Sequence, residues 1–273
     1  MDMSRASTCT YPLRDRDLDY TLGLVADAGF KKVDLWGRPP HFSILPDEVK
    51  PKDIERTAEK HGVRIANLGT YCGREFLDRE RLTRNKAMGD LTRTVDLAVR
   101  FGTRSIRVSP GVGESAEIAE ALIGPFSRAA VYAAQKGIFL GMENHGGSIA
   151  GDPELTLKLC EGVGSRLFGV LYEPCNLLHA GVDYKEAFEL LKNYIVHVHI
   201  KDGRRVGDTF ERCHLGEGEV DAKWVVEALE GIGYDGDYAL EYEINDIEPI
   251  ETGLRKWYEY FERLIRDVPT RTN

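Results

Sequence analysis

At 273 residues and 42% hydrophobic content, the chain is long enough for one barrel-sized domain or two smaller ones, and apolar enough for a sizeable core. Its 36 basic residues are outnumbered by 45 acidic ones, a net charge of −9. That balance excludes the Lys/Arg clusters a nucleic-acid partner requires and argues equally against an anionic membrane surface.

The N-terminus, Met1-Asp2-Met3-Ser4-Arg5, carries no apolar h-region, so no secretory signal is expected. No later run reaches the roughly 18 apolar residues of a membrane span. Ser7–Tyr11 reads as a weak strand, Asp17–Gly29 as a helix closed by glycine, and Lys32–Trp36 as a strand. Pro51–His61 is helical with Gly62 as its stop, and Val63–Gly69 is the next strand. A long helical pattern covers Asp78 to Phe101, ended by Gly102; Arg104–Ser109 is a strand and Ser115–Lys136 a helix stopped by Gly137. Ile138–His145, Leu167–Glu173 and Ile195–Lys201 are strands separated by helices near Pro153–Glu161 and Asp183–Lys192. Asp221–Gly231 is helical, Tyr238–Ile244 a strand and Pro249–Val268 the closing helix. The five cysteines, Cys9, Cys72, Cys160, Cys175 and Cys213, are odd in number and widely spaced; reduced thiols in a cytoplasmic protein are the expectation.

Strands alternating with helices imply a parallel sheet covered on its faces. About eight such units in this length match a (β/α)8 TIM barrel better than a doubly wound sheet. No G-x-G-x-x-G follows the first strand, which weighs against a dinucleotide fold. With no linker or low-complexity segment, residues 1–273 read as a single domain.

Side chains in a strand alternate faces. In Ile195–Asp202, Val196, Val198 and Ile200 share an apolar face fit for a helix layer, whereas His197, His199 and Lys201 share the opposite one. The same parity sets Ser105, Arg107 and Ser109, then Glu143 and His145, Glu173, and Glu241 with Glu243 on the barrel side. Each lies near the C-terminal end of its strand, where active sites of this fold sit. Glu143, Glu173, His199 and Glu241 come from four successive strands, at intervals of 30, 26 and 42 residues. Three converging carboxylates raise each other's pKa. A divalent cation removes that conflict, and oxygen-rich ligation with one imidazole favours Mn2+, Mg2+ or Co2+ over a structural zinc.

Over essentially its whole length, and most strongly from Ile138 onward, the chain resembles the xylose-isomerase-like TIM-barrel superfamily of sugar isomerases, epimerases and AP-endonuclease-type barrels. The resemblance is carried by Gly141-Met142-Glu143-Asn144-His145, Glu173-Pro174-Cys175-Asn176 with Ala180-Gly181, His197-Val198-His199-Ile200-Lys201-Asp202, Leu215-Gly216-Glu217-Gly218-Glu219-Val220-Asp221 and Leu240-Glu241-Tyr242-Glu243. It implies one Mn2+, with Mg2+ or Co2+ as alternatives, on Glu143, Glu173, His199 and Glu241. The family usually has Asp at the position of Glu173, whose extra methylene adds about 1.5 Å of reach. It also implies that Glu143 and Glu241 work from opposite faces of the substrate. Ketose 3-epimerases of this kind usually carry a substrate-binding His where Asn176 stands, and their substrate-binding Arg is matched by Arg205. The repair branch uses a three-zinc cluster with several more histidine ligands; here Asn176 and Arg107 stand where further ligands would be expected, and the chain has seven histidines in all.

A metal here can polarise a carbonyl and stabilise an enediolate, while a carboxylate takes the α-proton. The leading expectation is therefore a metal-dependent isomerase or epimerase acting on a sugar or keto-sugar. The rival uses the same enolate for β-elimination, as a lyase or dehydratase on a keto-sugar, 3-keto-glycoside or dehydroshikimate-like keto-acid. A third reading is a non-catalytic metal- and sugar-binding subunit. His145 shares the face of Glu143 and is an additional acid–base candidate, or else bonds a loop. Lys201 binds substrate oxygen, or else pairs with Asp202 or Glu243. Arg107 anchors substrate or pairs with Glu143. Asn176, Arg205 and Tyr71 are substrate-binding candidates; Trp36 and His41 could wall the pocket. His197 reads as a core or supporting histidine, and the Trp257–Phe261 aromatics as core or contact between copies in a homo-oligomer.

Overall fold

The glycines placed after the helical patterns do stop the helices, and the strands that follow close on themselves. The computed structural model describes residues 2–266 and 268. In chain order it contains β1 (Ala6–Cys9), α1 (Leu18–Ala28), β2 (Lys32–Trp36), α2 (Pro51–His61), β3 (Arg64–Cys72), α3 (Arg81–Phe101), β4 (Ser105–Val108), α4 (Ala116–Gln135), β5 (Phe139–Glu143), α5 (Pro153–Val163), β6 (Phe168–Tyr172), α6 (Pro174–His179), α7 (Tyr184–Leu191), β7 (Ile195–Ile200), β8 (Asp202–Val206), β9 (Thr209–Cys213), α8 (Ala222–Gly231), β10 (Tyr238–Leu240) and α9 (Ile250–Arg266). The barrel order is β1-β10-β7-β6-β5-β4-β3-β2, with every pairing parallel. This is the expected (β/α)8 TIM barrel. No helix among the described residues is long and apolar enough to cross a membrane.

Element boundaries follow from local chemistry. Asp17, Ser115, Asp152 and Asp221 accept backbone N–H bonds at the starts of α1, α4, α5 and α8, satisfying donors the helix leaves unpaired. Gly62 and Gly102 end α2 and α3 at φ 63° and 67°, a left-handed backbone that a Cβ disfavours. The helix expected from Asp78 begins only at Arg81, because the Asp78 carboxylate accepts the Glu80 N–H and makes a turn instead. Between β7 and α8, where the sequence marks no element, the chain forms the antiparallel hairpin β8–β9. α9 ends at Arg266; its expected extension to Val268 runs through residue 267, outside the described residues.

The helix-facing pairs Ile106/Val108, Leu140/Met142, Val170/Tyr172 and Val198/Ile200 all lie in the hydrophobic core. Val196 does not join them. The β6–β7 register shifts between Val170 and Leu171, so that Ile195 and His197 are the paired residues and Val196 is skipped. A Cβ built on Gly141 or Gly169 would meet the Val196 methyls at 3.1 and 3.2 Å, so the valine packs against these two glycines rather than sharing the apolar face of Val198 and Ile200. At Gly169 the same Cβ would also come within 1.9 Å of the Tyr194 carbonyl oxygen. Gly169→Ala must therefore move backbone, and overpacking of this kind costs about 1–3 kcal/mol. Urea unfolding should show that loss; an unchanged midpoint would mean β6 shifts freely.

Candidate active site

Glu143 ends β5, His199 lies in β7, and Glu241 directly follows β10. Their ligand atoms all lie within 4.8 Å of one another. His199 Nδ1 is 3.1 Å from Glu143 Oε1 and 3.8 Å from Glu241 Oε2, and all three residues are buried. Burial alone would raise both carboxyls. Arg107, whose Nη1 donates to Glu143 Oε2 at 2.7 Å, and His199 outweigh it and hold Glu143 at about 2. Lys201 Nζ, 2.5 Å from Glu241 Oε2, acts with His199 to hold Glu241 well below the usual carboxylate range. Burial works against the charged form of His199 too, but Cys9, Glu241 and Asp34 keep its pKa well above 6.5.

Glu173 is not part of this group. It is the N-cap of α6: Oε1 accepts the Cys175 N–H at 3.1 Å and Oε2 the Asn176 N–H at 2.6 Å. With Lys201 Nζ 3.6 Å from Oε2, its oxygens serve a helix end and an ammonium, apart from the Glu143, His199 and Glu241 cluster. Full burial pushes its carboxyl up to about 7, against the pull of Lys201. Glu173→Ala is expected to lower stability by about 1–2 kcal/mol, the usual loss of a cap, while leaving Mn2+ affinity within a few-fold. Calorimetric titration and thermal unfolding would separate the two roles.

The cluster opens into a cavity of about 570 Å³ that is also lined by Tyr71, His145, Asn176, Arg212 and Glu243. His145 is exposed, with Nδ1 2.9 Å from the Gly146 carbonyl oxygen; the N–H belongs on Nδ1, which leaves Nε2 as the unprotonated nitrogen. Asn176 donates to the Asn144 oxygen and accepts from Arg212 Nη2, both at 3.0 Å. Tyr71 lies between the Arg38 and Arg107 guanidiniums, 4.6 and 4.3 Å from its ring centre. Arg107 pairs with Glu143 and also lines the cavity. Lys201 pairs with Glu241 and, at 2.8 Å, with Glu243. Asp202 instead accepts the N–H groups of Gly203, Gly216, Gly218 and Val220, tying down the loop after β9.

Three expected substrate-binding residues are elsewhere. Arg205 is exposed and donates to the Leu178 oxygen at 3.2 Å. Across the hairpin, it is Arg212 that lines the cavity, the β8–β9 register setting it opposite Gly203. His41 is fully buried, 3.0 Å from Thr10 Oγ1 and 3.1 Å from the Arg16 oxygen, so it braces loops. Trp36 packs edge-on against Tyr11 and His41, and it is Tyr11 that reaches the cavity. Parity also marks Asp34, between Lys32 and Trp36 on the inward face of β2, a signal the sequence reading passed over.

Two carboxylates and one imidazole, gathered at strand ends beneath an open cavity, suit a divalent cation that keeps positions free for substrate oxygens. A similar solved structure, a xylose isomerase-like TIM barrel protein from Mycobacterium smegmatis, is in complex with magnesium; it is 15% identical with a TM-score of 0.80, covering 97% of this chain and 98% of that one. A D-tagatose 3-epimerase-like protein superposes with a TM-score of 0.78 at 20% identity, covering 97% and 98%. Inosose dehydratase of Geobacillus thermodenitrificans is 28% identical over 137 residues, 45% of this chain and 46% of that protein. The chain spans less than half the length of the curated relatives it matches, 37% of one and 46% of the other. The family described as xylose isomerase-like TIM barrel matches residues 22–264, and the chain belongs to that family.

Proposed function

We propose that the chain is a divalent-metal-dependent enzyme, with Mn2+ as its metal, that isomerises or epimerises a sugar or keto-sugar. The observation that carries this reading is the convergence of Glu143, His199 and Glu241 within 4.8 Å on the floor of a cavity rich in hydrogen-bonding side chains. When bound there, the cation supplies Lewis-acid polarisation of a substrate carbonyl or hydroxyl. Glu143 and Glu241 are both held ionised, by Arg107 and Lys201, so each meets the substrate as a proton acceptor. Glu241 takes the proton from the carbon α to the carbonyl. Return of that proton to the neighbouring carbon, with the hydroxyl proton passing between the two oxygens, isomerises; reprotonation of the same carbon on the Glu143 side by a proton drawn from solvent, with Glu241 releasing its own to solvent, epimerises. Arg107 and Lys201 place positive charge where negative charge develops on substrate oxygen, and Asn176, Arg212 and Tyr71 orient the hydroxyls.

The test is proton NMR of candidate keto-sugars in D2O with Mn2+ added and then removed by chelation. Deuterium should wash in at the carbon α to the carbonyl only while the metal is present; wash-in that survives chelation would overturn metal dependence. His199 must also give up its Nδ1 proton to accept a cation. Since its pKa lies well above 6.5, Mn2+ affinity should rise with pH through the neutral range, with proton release measurable by calorimetry in buffers of different ionisation enthalpy.

A second reading, β-elimination, is favoured by one observation: His145 offers an exposed acid–base group on the cavity wall beside Glu143. Once its Nε2 has taken up a proton from solvent, it would protonate a leaving hydroxyl β to the carbanion, and the relationship to inosose dehydratase is consistent with that chemistry. An enone product in the same NMR experiment selects it.

A further inference from the structure

Asp34 faces His199 from the far side of the barrel, and we propose that it is the positioning residue that turns Nδ1 of that imidazole toward the carboxylates and the metal they would hold. The inference rests on the metal-site reading above. β2 and β7 are separated around the barrel by β1 and β10, so the two side chains meet through the interior. Asp34 Oδ2 lies 2.5 Å from His197 Nε2, 3.0 Å from His199 Nε2 and 3.1 Å from Asn67 Nδ2, and Oδ1 accepts from Ser7 Oγ at 2.9 Å. None of Asp34, His197 and His199 is more than 3% exposed. An ionised carboxylate can only accept, so both rings carry their proton on Nε2. The nitrogen of His199 left to bind a cation is then Nδ1, the one that faces Glu143 and Glu241.

The surroundings of Asp34 leave it little choice of orientation. Ser105 Oγ donates to Asn67 Oδ1 at 2.8 Å, which turns the Asn67 amide nitrogen toward Asp34. Four donors from β1, β3 and β7 therefore converge on one acid that pairs with no lysine or arginine among the described residues. A histidine whose far N–H is held by a carboxylate is fixed in tautomer and ring angle, and disturbing such a partner typically weakens metal binding 10–100-fold. An asparagine at 34 nearly preserves shape while removing the negative charge and one of the two acceptor oxygens on which these donors converge.

The test is long-range ¹H–¹⁵N NMR of the histidines, in the metal-free protein and with diamagnetic Mg2+, alongside Mn2+ titration calorimetry of Asp34→Asn. In the parent, His199 Nε2 should stay protonated throughout and the Nδ1 resonance should shift when Mg2+ is added. Asp34→Asn should weaken Mn2+ binding 10–100-fold and change the Nε2 signal. Four results overturn the proposal: metal binding through Nε2; a variant with parental tautomer and affinity and only a lower thermal midpoint; two metal equivalents per chain with one lost in Cys9→Ala, since Cys9, Asp34 and His199 also lie within 4.8 Å of one another; or Mg2+ leaving both nitrogens unchanged. The last would remove the metal-site reading itself, whereas the second removes only the role of Asp34. If Asp34→Asn does not fold, the parent spectra alone decide.

Discussion

Glu241→Gln is expected to lower kcat at saturating Mn2+ by about 10²–10⁴-fold, the range lost with a positioned acid–base group, and to weaken metal binding as well. One substitution removes both functions because the same carboxylate is a ligand atom of the cluster and the proton acceptor next to the substrate cavity. Glutamine keeps the shape and can still accept from Lys201, so a folding defect is not the expected route. Glu143→Gln should behave alike, with the added loss of the Arg107 ion pair. Glu243→Gln is the control. That residue also lines the cavity and touches Lys201, but it is not in the ligand cluster, and its kcat should stay within tenfold of the parent. Steady-state kinetics on whichever keto-sugar shows deuterium wash-in, with metal content measured on the same samples, would decide. A Glu241→Gln enzyme that keeps a tenth of parental kcat would sink the assignment.

The barrel was legible because its signals are local. Strand parity and glycine stops need only neighbouring residues, and they placed Glu143, His199 and Glu241 at one end of the barrel without knowledge of any long-range contact. What parity could not supply is the direction a side chain takes after its Cβ leaves the strand. Glu173 and Glu143 look equivalent in sequence, yet one carboxylate folds back onto the two N–H groups that open α6. Arg205 and Arg212 lie on opposite strands of a hairpin whose register is set by the turn between them, so the sequence alone could not show that Arg212 rather than Arg205 lines the cavity. The skipped Val196 shows the same limit, since a bulge appears only when two strands are laid side by side. Asp34 was readable by parity, but its two histidine partners are more than 160 residues away and no local signal joins them.

Lys201→Met should destabilise the metal-free protein by about 3–5 kcal/mol, the usual penalty for leaving one side of a buried ion pair uncompensated. Lys201 Nζ sits 2.5, 2.8 and 3.6 Å from Glu241, Glu243 and Glu173, with a side chain only 4% exposed. Methionine fills much of its volume but leaves those carboxylates facing each other. Two agents can replace the missing charge. Divalent metal should restore about 2.7 kcal/mol at a hundred times its dissociation constant, so the metal-induced rise in thermal midpoint should be larger in the variant than in the parent. Protons act in the same sense. Glu173 titrates near 7 in the folded parent but near 4.3 when unfolded, so the folded state holds the extra proton and stability from this group falls as pH rises from about 4.5 to 7. Without Lys201, which pulls that pKa down, the folded value climbs further and the window extends above 7. The variant's deficit should therefore be smallest at pH 5 and largest at pH 8. Denaturant unfolding at those two pH values, each with and without Mn2+, measures all of this at once; a deficit that ignores both pH and metal would mean Lys201 contributes packing, not charge.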